Sequence, residues 1–173
     1  NNLQKENITG SQNIFMGDVM YDMVLNAKLE KPEIILPRSF VLCTIHRQEN
    51  TDNPSSLKKI FLTLIELSKK ICVIIPLHPR TKKKLVDHGL YETVKDNLNI
   101  IEPQSYSNLL YLIKKSEIVI SDSGGVPKEA AFLNVPSIFI GDIKLLSFNQ
   151  FNFSLNNFSL FNSDIISVDG VFI

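Results

Sequence analysis

Two short stretches of the chain carry residue types at spacings that could do chemistry. The first is Ser121-Asp122-Ser123-Gly124-Gly125-Val126-Pro127-Lys128-Glu129. It follows the apolar run Ile118 to Ile120, which reads as a buried strand. A helix restarts with Pro127 in its first turn, where a missing N–H costs nothing. Gly124 and Gly125 let the backbone approach a ligand, and the helix N-terminus directs free N–H groups toward it. Ser123, Gly124 and Gly125 thus form a candidate phosphate cradle. Glu129, one turn into the helix, could reach past phosphates to hydroxyl groups such as those of a ribose. A plain strand-to-helix turn would use the same residues, so this stretch does not decide alone. The second stretch, His46-Arg47-Gln48-Glu49-Asn50, brings together an imidazole, a guanidinium and a carboxylate. His46 taken alone reads equally well as a structural histidine. His46, His78 and His88 show no ligand spacing, so no metal site is expected.

Alternating strands and helices must position these stretches. Asn13 to Met16 reads as a short strand, followed by a helix with Val19, Met23, Val24 and Ala27 on one face. Pro32 to Arg38 reads as a linker. Phe40 to Ile45 is apolar at nearly every position, as in a parallel sheet covered on both faces. The loop His46 to Asn53 leads into a helix from Pro54 whose stripe of Leu57, Ile60, Phe61, Leu64 and Leu67 is core. Ile71 to Pro76 is the next strand, followed by a basic helix from Thr81 to Asp87. Its Lys82-Lys83-Lys84 run reads as a solvated face. Leu98 to Ile101 is a strand, Ser105 to Lys115 a helix capped by Ser105 or Ser107, and Val126 to Leu133 a helix ended by Asn134. Pro136 to Ile140 is the last strand. Six strands and five helical segments imply an α/β fold, a doubly wound, Rossmann-like parallel sheet. In the strand order 3-2-1-4-5, counted from Phe40, the strands ending at Ile45 and Ser121 adjoin at the switch point. Both polar loops then face one crevice.

Composition narrows the class. The chain has 173 residues, 44% hydrophobic and 21% charged, with zero net charge. This is ample for one core, and it provides no basic field for nucleic acid or an anionic membrane. No apolar run approaches a membrane span, and the N-terminus is not signal-like. Cys43 and Cys72 are expected as buried thiols in a reducing cytoplasm rather than as a disulfide.

Phe40 through Asn53, the Leu77-His78-Pro79 segment and Ser121 through Ala130 together resemble the UDP-N-acetylglucosamine 2-epimerase family. Gly17 to Asp22 is similar to that family's hinge segment. The resemblance covers about residues 12–141. It implies the C-terminal half of a two-domain nucleotide-sugar epimerase fold of glycosyltransferase-B-like architecture. On that reading residues 1–16 end an N-terminal domain, 17–38 are hinge helix and linker, 39–143 form the UDP-binding domain, and 144–173 form a tail. Family enzymes invert C2 of a UDP-linked 2-acetamido sugar by eliminating UDP to a glycal and re-adding it, and a hydrolysing branch releases the sugar. The wording around His46 to Asn53 is closest to members making precursors for bacterial surface polysaccharides. Position by position, Ser123, Gly124 and Gly125 match residues binding the diphosphate, and Glu129 matches the residue holding the ribose. His46 matches a histidine at the active-site cleft, with Arg47 and Glu49 beside it. His78 falls near a histidine associated in bacterial members with a regulatory UDP-sugar site. Leu109 lies where the backbone meets the uracil. The resemblance implies no cofactor, and UDP or a UDP-N-acetylhexosamine as partner.

Two departures bear on activity. On the resemblance, the N-terminal domain that supplies the carboxylates expected to move the C2 proton is expected to be missing, with only its end before Gly17. After Asp142 the family pattern gives way to a stretch rich in Phe, Asn, Ser and Leu, with no Lys or Arg after Lys144. A truncated or frameshifted reading is expected there; the alternative is a helix or strand over Phe148 to Phe161 burying aromatics against the sheet. Three readings stay open: a UDP-sugar-binding epimerase part inactive alone, a binding module pairing with a separate N-terminal half or as a homodimer, and a non-enzymatic remnant acting by association.

Overall fold

A computed structural model of the chain describes residues 17–141 and Lys5. The expected strand at Asn13 to Met16 and the Phe-rich tail lie outside the described residues. Five strands form one all-parallel sheet: β1 (Phe40–Thr44), β2 (Cys72–Pro76), β3 (Asn99–Ile101), β4 (Ile118–Ser121) and β5 (Ser137–Phe139). Their order is β3-β2-β1-β4-β5, the order expected at the switch point. Register places Thr44 of β1 beside Ser121 of β4, so both polar loops leave the same sheet edge.

The sheet is covered on both faces, and β1 shows why its sequence is apolar from Phe40 to Cys43. Val41 and Cys43 point into one layer with Leu57, Phe61, Val73, Ile75 and Leu85. Phe40 and Leu42 point into the other with Ile74, Leu110, Ile113 and Val119. Period-two alternation thus feeds two cores from one strand. Helices α3 (Pro54–Ser68), α4 (Pro79–Asp87) and α5 (Tyr91–Asn97) lie on the first side; α1 (Val19–Asn26), α6 (Tyr106–Lys115) and α7 (Val126–Phe132) lie on the second.

Local chemistry sets several of the helix ends. Asn53 caps α3 by accepting from the Ser55 and Ser56 amides at 3.0 and 3.2 Å, with Pro54 in the first turn. Ser105, rather than Ser107, caps α6 by accepting from the Asn108 amide. Asn134 ends the turn after α7 in the left-handed region, φ 58°. The buried stripe of α3 is Leu57, Phe61, Leu64, Ile65 and Leu67; Ile60 is only half-buried and Ile65 takes its place.

Several elements differ from the sequence expectation. Helix α1 buries Val24 and half-buries Met20 and Ala27, while Val19 and Met23 are exposed. Of the residues expected inward, Val24 and Ala27 are so and Val19 and Met23 are not, while Met20 joins them; α1 also meets α7 through the Tyr21–Phe132 ring pair at 5.1 Å. Residues 32–38 are not a free linker, since Ile34 and Leu36 pack against the second core layer. The loop after β1 contains a single helical turn, α2 (Gln48–Thr51). Helix α4 starts at Pro79, not Thr81, because His78 caps it. Helix α5, on no strong apolar period, was not expected at all. Cys43 and Cys72 are both free thiols, but Cys72 is only half-buried. Burial holds the Cys43 thiol far above its ordinary pKa, so it is inert.

Replacing Phe61, 1% exposed at the centre of the first layer, with Ala should lower stability by about 3–5 kcal/mol. Urea denaturation measures this, and a loss below about 1 kcal/mol would place Phe61 outside the core.

Candidate functional site

The crevice lies at the C-terminal edge of β1 and β4, and it is built around Asp122. This residue follows the buried strand β4 directly and is 0% exposed. Its amide continues the sheet pairing by donating to the Thr44 carbonyl at 3.2 Å. Its carboxylate crosses to the opposite loop. The His46 amide donates to its two oxygens at 3.1 and 3.0 Å, the Arg47 amide at 2.8 Å, and the Asn50 side-chain amide at 3.1 Å. Burying a carboxylate is costly unless it is fully hydrogen-bonded, and these donors satisfy it. The turn α2 makes this geometry available. With the Arg47 carbonyl accepting from the Thr51 amide and hydroxyl, the chain coils so that successive amides converge on one point. Buried Asn50 also reaches the Ile140 carbonyl at 3.4 Å, tying the loop to the chain beyond β5.

Side chains of the same loop then face the crevice. The His46 ring is 43% exposed, with Nδ1 3.3 Å from Asp122 Oδ1. The His78 ring lies 6.1 Å away, centroid to centroid. The Arg47 guanidinium sits 5.9 Å over the Phe139 ring, held at the β5 side. Glu49 is on the exposed side of the turn. Further ties fix this loop to α4. The Thr81 hydroxyl donates to the Ile45 carbonyl at 2.6 Å. Asp52 takes Arg80 at 2.8 Å and Lys84 at 3.0 Å, and those two cations hold its carboxyl below the ordinary range. Lys84 is thus an ion-pair partner, and only Lys82 and Lys83 are fully exposed.

The β4–α7 turn forms the other wall. Thr44 and Ser121 hydroxyls pair across the strands at 2.7 Å, and the Ser123 amide donates to Ser121 Oγ. Ser123 Oγ accepts from the Gly125 amide at 3.2 Å and the Val126 amide at 3.5 Å. The amides expected to meet phosphate are therefore occupied by the serine hydroxyl. In front of Gly124, a Cβ would meet nothing within 4 Å, and at Gly125 its nearest neighbour would be Met20 Cε at 3.7 Å. Packing and backbone conformation do not require glycine at either position. Glu129, 8% exposed, stands one turn along α7 with Tyr106 of α6 beside it. Burial raises the Glu129 pKa, and the Tyr106 hydroxyl partly offsets the rise. Leu109 lies in the first turns of α6, half-buried, its amide already given to the Ser105 carbonyl at 2.8 Å.

The structure thus joins His46, Arg47 and the Ser123–Gly125 turn through Asp122, and brings His78 alongside His46. Glu129 and Leu109 belong to the α6–α7 side, with Tyr106 as their link. Asp122, Asn50 and Tyr106 were given no role from the sequence. A carboxylate directly after a short strand that is apolar from Ile118 to Ile120 and ends in Ser121 was the available signal for Asp122. Asn50 and Tyr106 had none, because their burial and contacts depend on chain crossings. Among the described residues no His, Cys, Asp and Glu cluster could hold a metal ion.

The family model described as UDP-N-acetylglucosamine 2-epimerase matches residues 1–144. A UDP-N-acetylglucosamine 2-epimerase homolog of Methanococcus maripaludis is 42% identical over 149 residues, covering 79% of this chain and 41% of the relative. The solved UDP-GlcNAc 2-epimerase of Methanocaldococcus jannaschii superposes with a TM-score of 0.74 at 36% identity, over 82% of this chain and 44% of that one. A second structure of that enzyme, in complex with UDP-GlcNAc and UDP, superposes at 0.68 and 32% identity, over 82% and 42%. The chain spans about two fifths of the length of these relatives.

Burial of Glu129 also makes stability depend on pH. Its folded pKa lies above the unfolded one, so the unfolded chain releases this proton first. The resulting penalty is absent below the unfolded pKa and grows as pH rises through the folded one. Glu129→Gln should remove that slope, gaining stability over wild type as pH rises from the acid range to neutral. Thermal melts across that range measure it; parallel curves for the two chains would contradict it.

Proposed function

The chain belongs to the UDP-N-acetylglucosamine 2-epimerase family, and from that premise we propose that it is the nucleotide-holding part of a C2 epimerase of UDP-linked 2-acetamido sugars. The single observation carrying this reading is the Asp122 junction, which merges the His46 loop and the Ser123–Gly125 turn into one crevice. The diphosphate lies over Gly124, where no Cβ intrudes, and takes up the Gly125 and Val126 amides in exchange for Ser123 Oγ. Glu129 accepts from the ribose hydroxyls, with Tyr106 alongside. The uracil sits against the start of α6 at Leu109. Because the Leu109 amide is committed within the helix, the other groups of that turn meet the base.

His46 and Arg47 face the sugar–diphosphate end of the crevice, with Glu49 at its rim and His78 across from His46. Elimination breaks the bond between C1 and the diphosphate oxygen while a base removes the proton from C2. The electron pair becomes the C1–C2 double bond of a glycal, and UDP leaves as an anion. Re-addition of UDP at C1, with a proton delivered to the opposite face of C2, completes the inversion. This chain's part is to stabilise the departing diphosphate with preorganised donors. An elimination also needs a placed base, and the described crevice offers no second carboxylate facing the sugar end beside Glu49. We therefore assign turnover to the chain only together with residues beyond the described ones, in a cytoplasmic enzyme supplying polysaccharide precursors. A separate half or a second copy would serve equally as their source.

Calorimetric titration with UDP tests the assignment. Saturable binding is expected, and no heat at millimolar UDP would leave a remnant without nucleotide function. Glu129→Ala should weaken UDP by about tenfold or more, the loss of about 1.5–3 kcal/mol from hydrogen bonds to a charged acceptor. Equal affinity would remove Glu129 from the ribose. Since burial raises the Glu129 pKa, wild-type affinity should also fall as pH is lowered through its titration, and Glu129→Gln should abolish that dependence.

A further inference from the structure

The two imidazoles across the crevice are held by partners of opposite chemistry. His46 Nδ1 faces Asp122 Oδ1 at 3.3 Å, and a carboxylate oxygen has only lone pairs to offer. A proton on that nitrogen makes the contact attractive, whereas a bare nitrogen would set lone pairs against lone pairs. His78 Nδ1 instead accepts from the Arg80 backbone amide at 3.2 Å, as the cap of α4. That nitrogen must be bare. Neither partner is free to change. Asp122 is anchored by the His46 and Arg47 amides and the Asn50 side chain. The Arg80 amide is fixed in the first turn of α4, whose next residue, Thr81, is pinned to the Ile45 carbonyl.

We propose that Asp122 and the Arg80 amide lock the two rings in opposite tautomers, so that His46 Nε2 accepts and His78 Nε2–H donates to a ligand group able to do both. In a neutral imidazole the second nitrogen takes the role the first does not. With centroids 6.1 Å apart and planes inclined by 38°, the rings are close enough for one ligand group, such as a hydroxyl or a secondary amide, to reach both. A proton on His46 Nε2 would leave the Nδ1–Asp122 contact in place. Protonating His78 on Nδ1 would break the cap of α4. Asp122 is a positioning residue that acts through His46. Only the ligand part rests on the UDP-sugar reading, since a 2-acetamido sugar carries both kinds of group. The tautomers themselves do not depend on it.

Two-bond proton–nitrogen correlation spectra of the uniformly ¹⁵N-labelled full chain, without nucleotide and at mildly alkaline pH, test the tautomers. His46 should show the Nδ1–H pattern and His78 the Nε2–H pattern, with exposed His88 as the internal reference. The same pattern at His46 and His78 would overturn the proposal. Asp122→Asn should shift His46 toward the Nε2–H pattern and leave His78 unchanged. A folded D122N chain with the wild-type His46 pattern would remove Asp122 from this role. The wild-type spectrum decides the tautomers even if that variant fails to fold. Adding UDP-N-acetylglucosamine should move the Nε2 signals of both His46 and His78, whereas UDP alone should leave them in place. If the sugar nucleotide binds but moves neither signal, the ligand assignment fails while the tautomers and the UDP reading stand.

Discussion

A single buried carboxylate sets the architecture of this crevice. Asp122 stands where β4 ends, without access to solvent, and its charge is met by backbone amides and one asparagine instead of a lysine or arginine. Hydrogen bonds to an ionised acceptor are worth about 1.5–3 kcal/mol each, and leaving such a group unpaired costs more than an ordinary polar loss. The His46–Asn50 turn therefore has one low-energy arrangement, the one in which its amides converge on that carboxylate. Two loops far apart in sequence become one wall.

Other parts of the site follow from that constraint. Once α2 is coiled onto Asp122, His46 projects beside His78 and Arg47 is directed over Phe139. Thr81 and the Asp52–Arg80–Lys84 cluster hold the far side of the same loop to α4. That cluster is partly exposed, so solvent screens it and it contributes less than the buried Asp122 contacts. The β4–α7 turn is less tightly determined. Ser123 Oγ accepts from the Gly125 and Val126 amides at 3.2 and 3.5 Å, so this turn satisfies its own amides through one rotatable hydroxyl. A rigid loop bearing the imidazole faces a turn that can trade partners.

Much of the fold was legible because parallel-sheet strands are apolar at every position and parallel connections have one hand. Phe40 to Thr44 and Ile118 to Ile120 announced themselves, and their adjacency followed from the topology of such sheets. The helix start at Pro54 and the turn at Asn134 were equally readable, since a specific residue type or backbone region sets each. Helix α5 was not, because Tyr91 to Asn97 has one buried residue, Val94, and no period to detect. The inward stripe of α1 was only half right, Val24 and Ala27 but not Val19 and Met23, as eight residues with apolar groups on several sides leave the phase open to tertiary contacts. In the site, glycine and histidine drew notice by type. Asp122, Asn50 and Tyr106 gained meaning only from the contacts that chain crossings create.

Native-state amide hydrogen exchange, followed residue by residue, tests the central role of Asp122 most directly. In the wild-type chain the amides of His46 and Arg47, though in a loop, should exchange as slowly as those of β1. Rapid exchange at His46 and Arg47 beside slow exchange in β1 would contradict the account, because the buried carboxylate would then not be holding the loop.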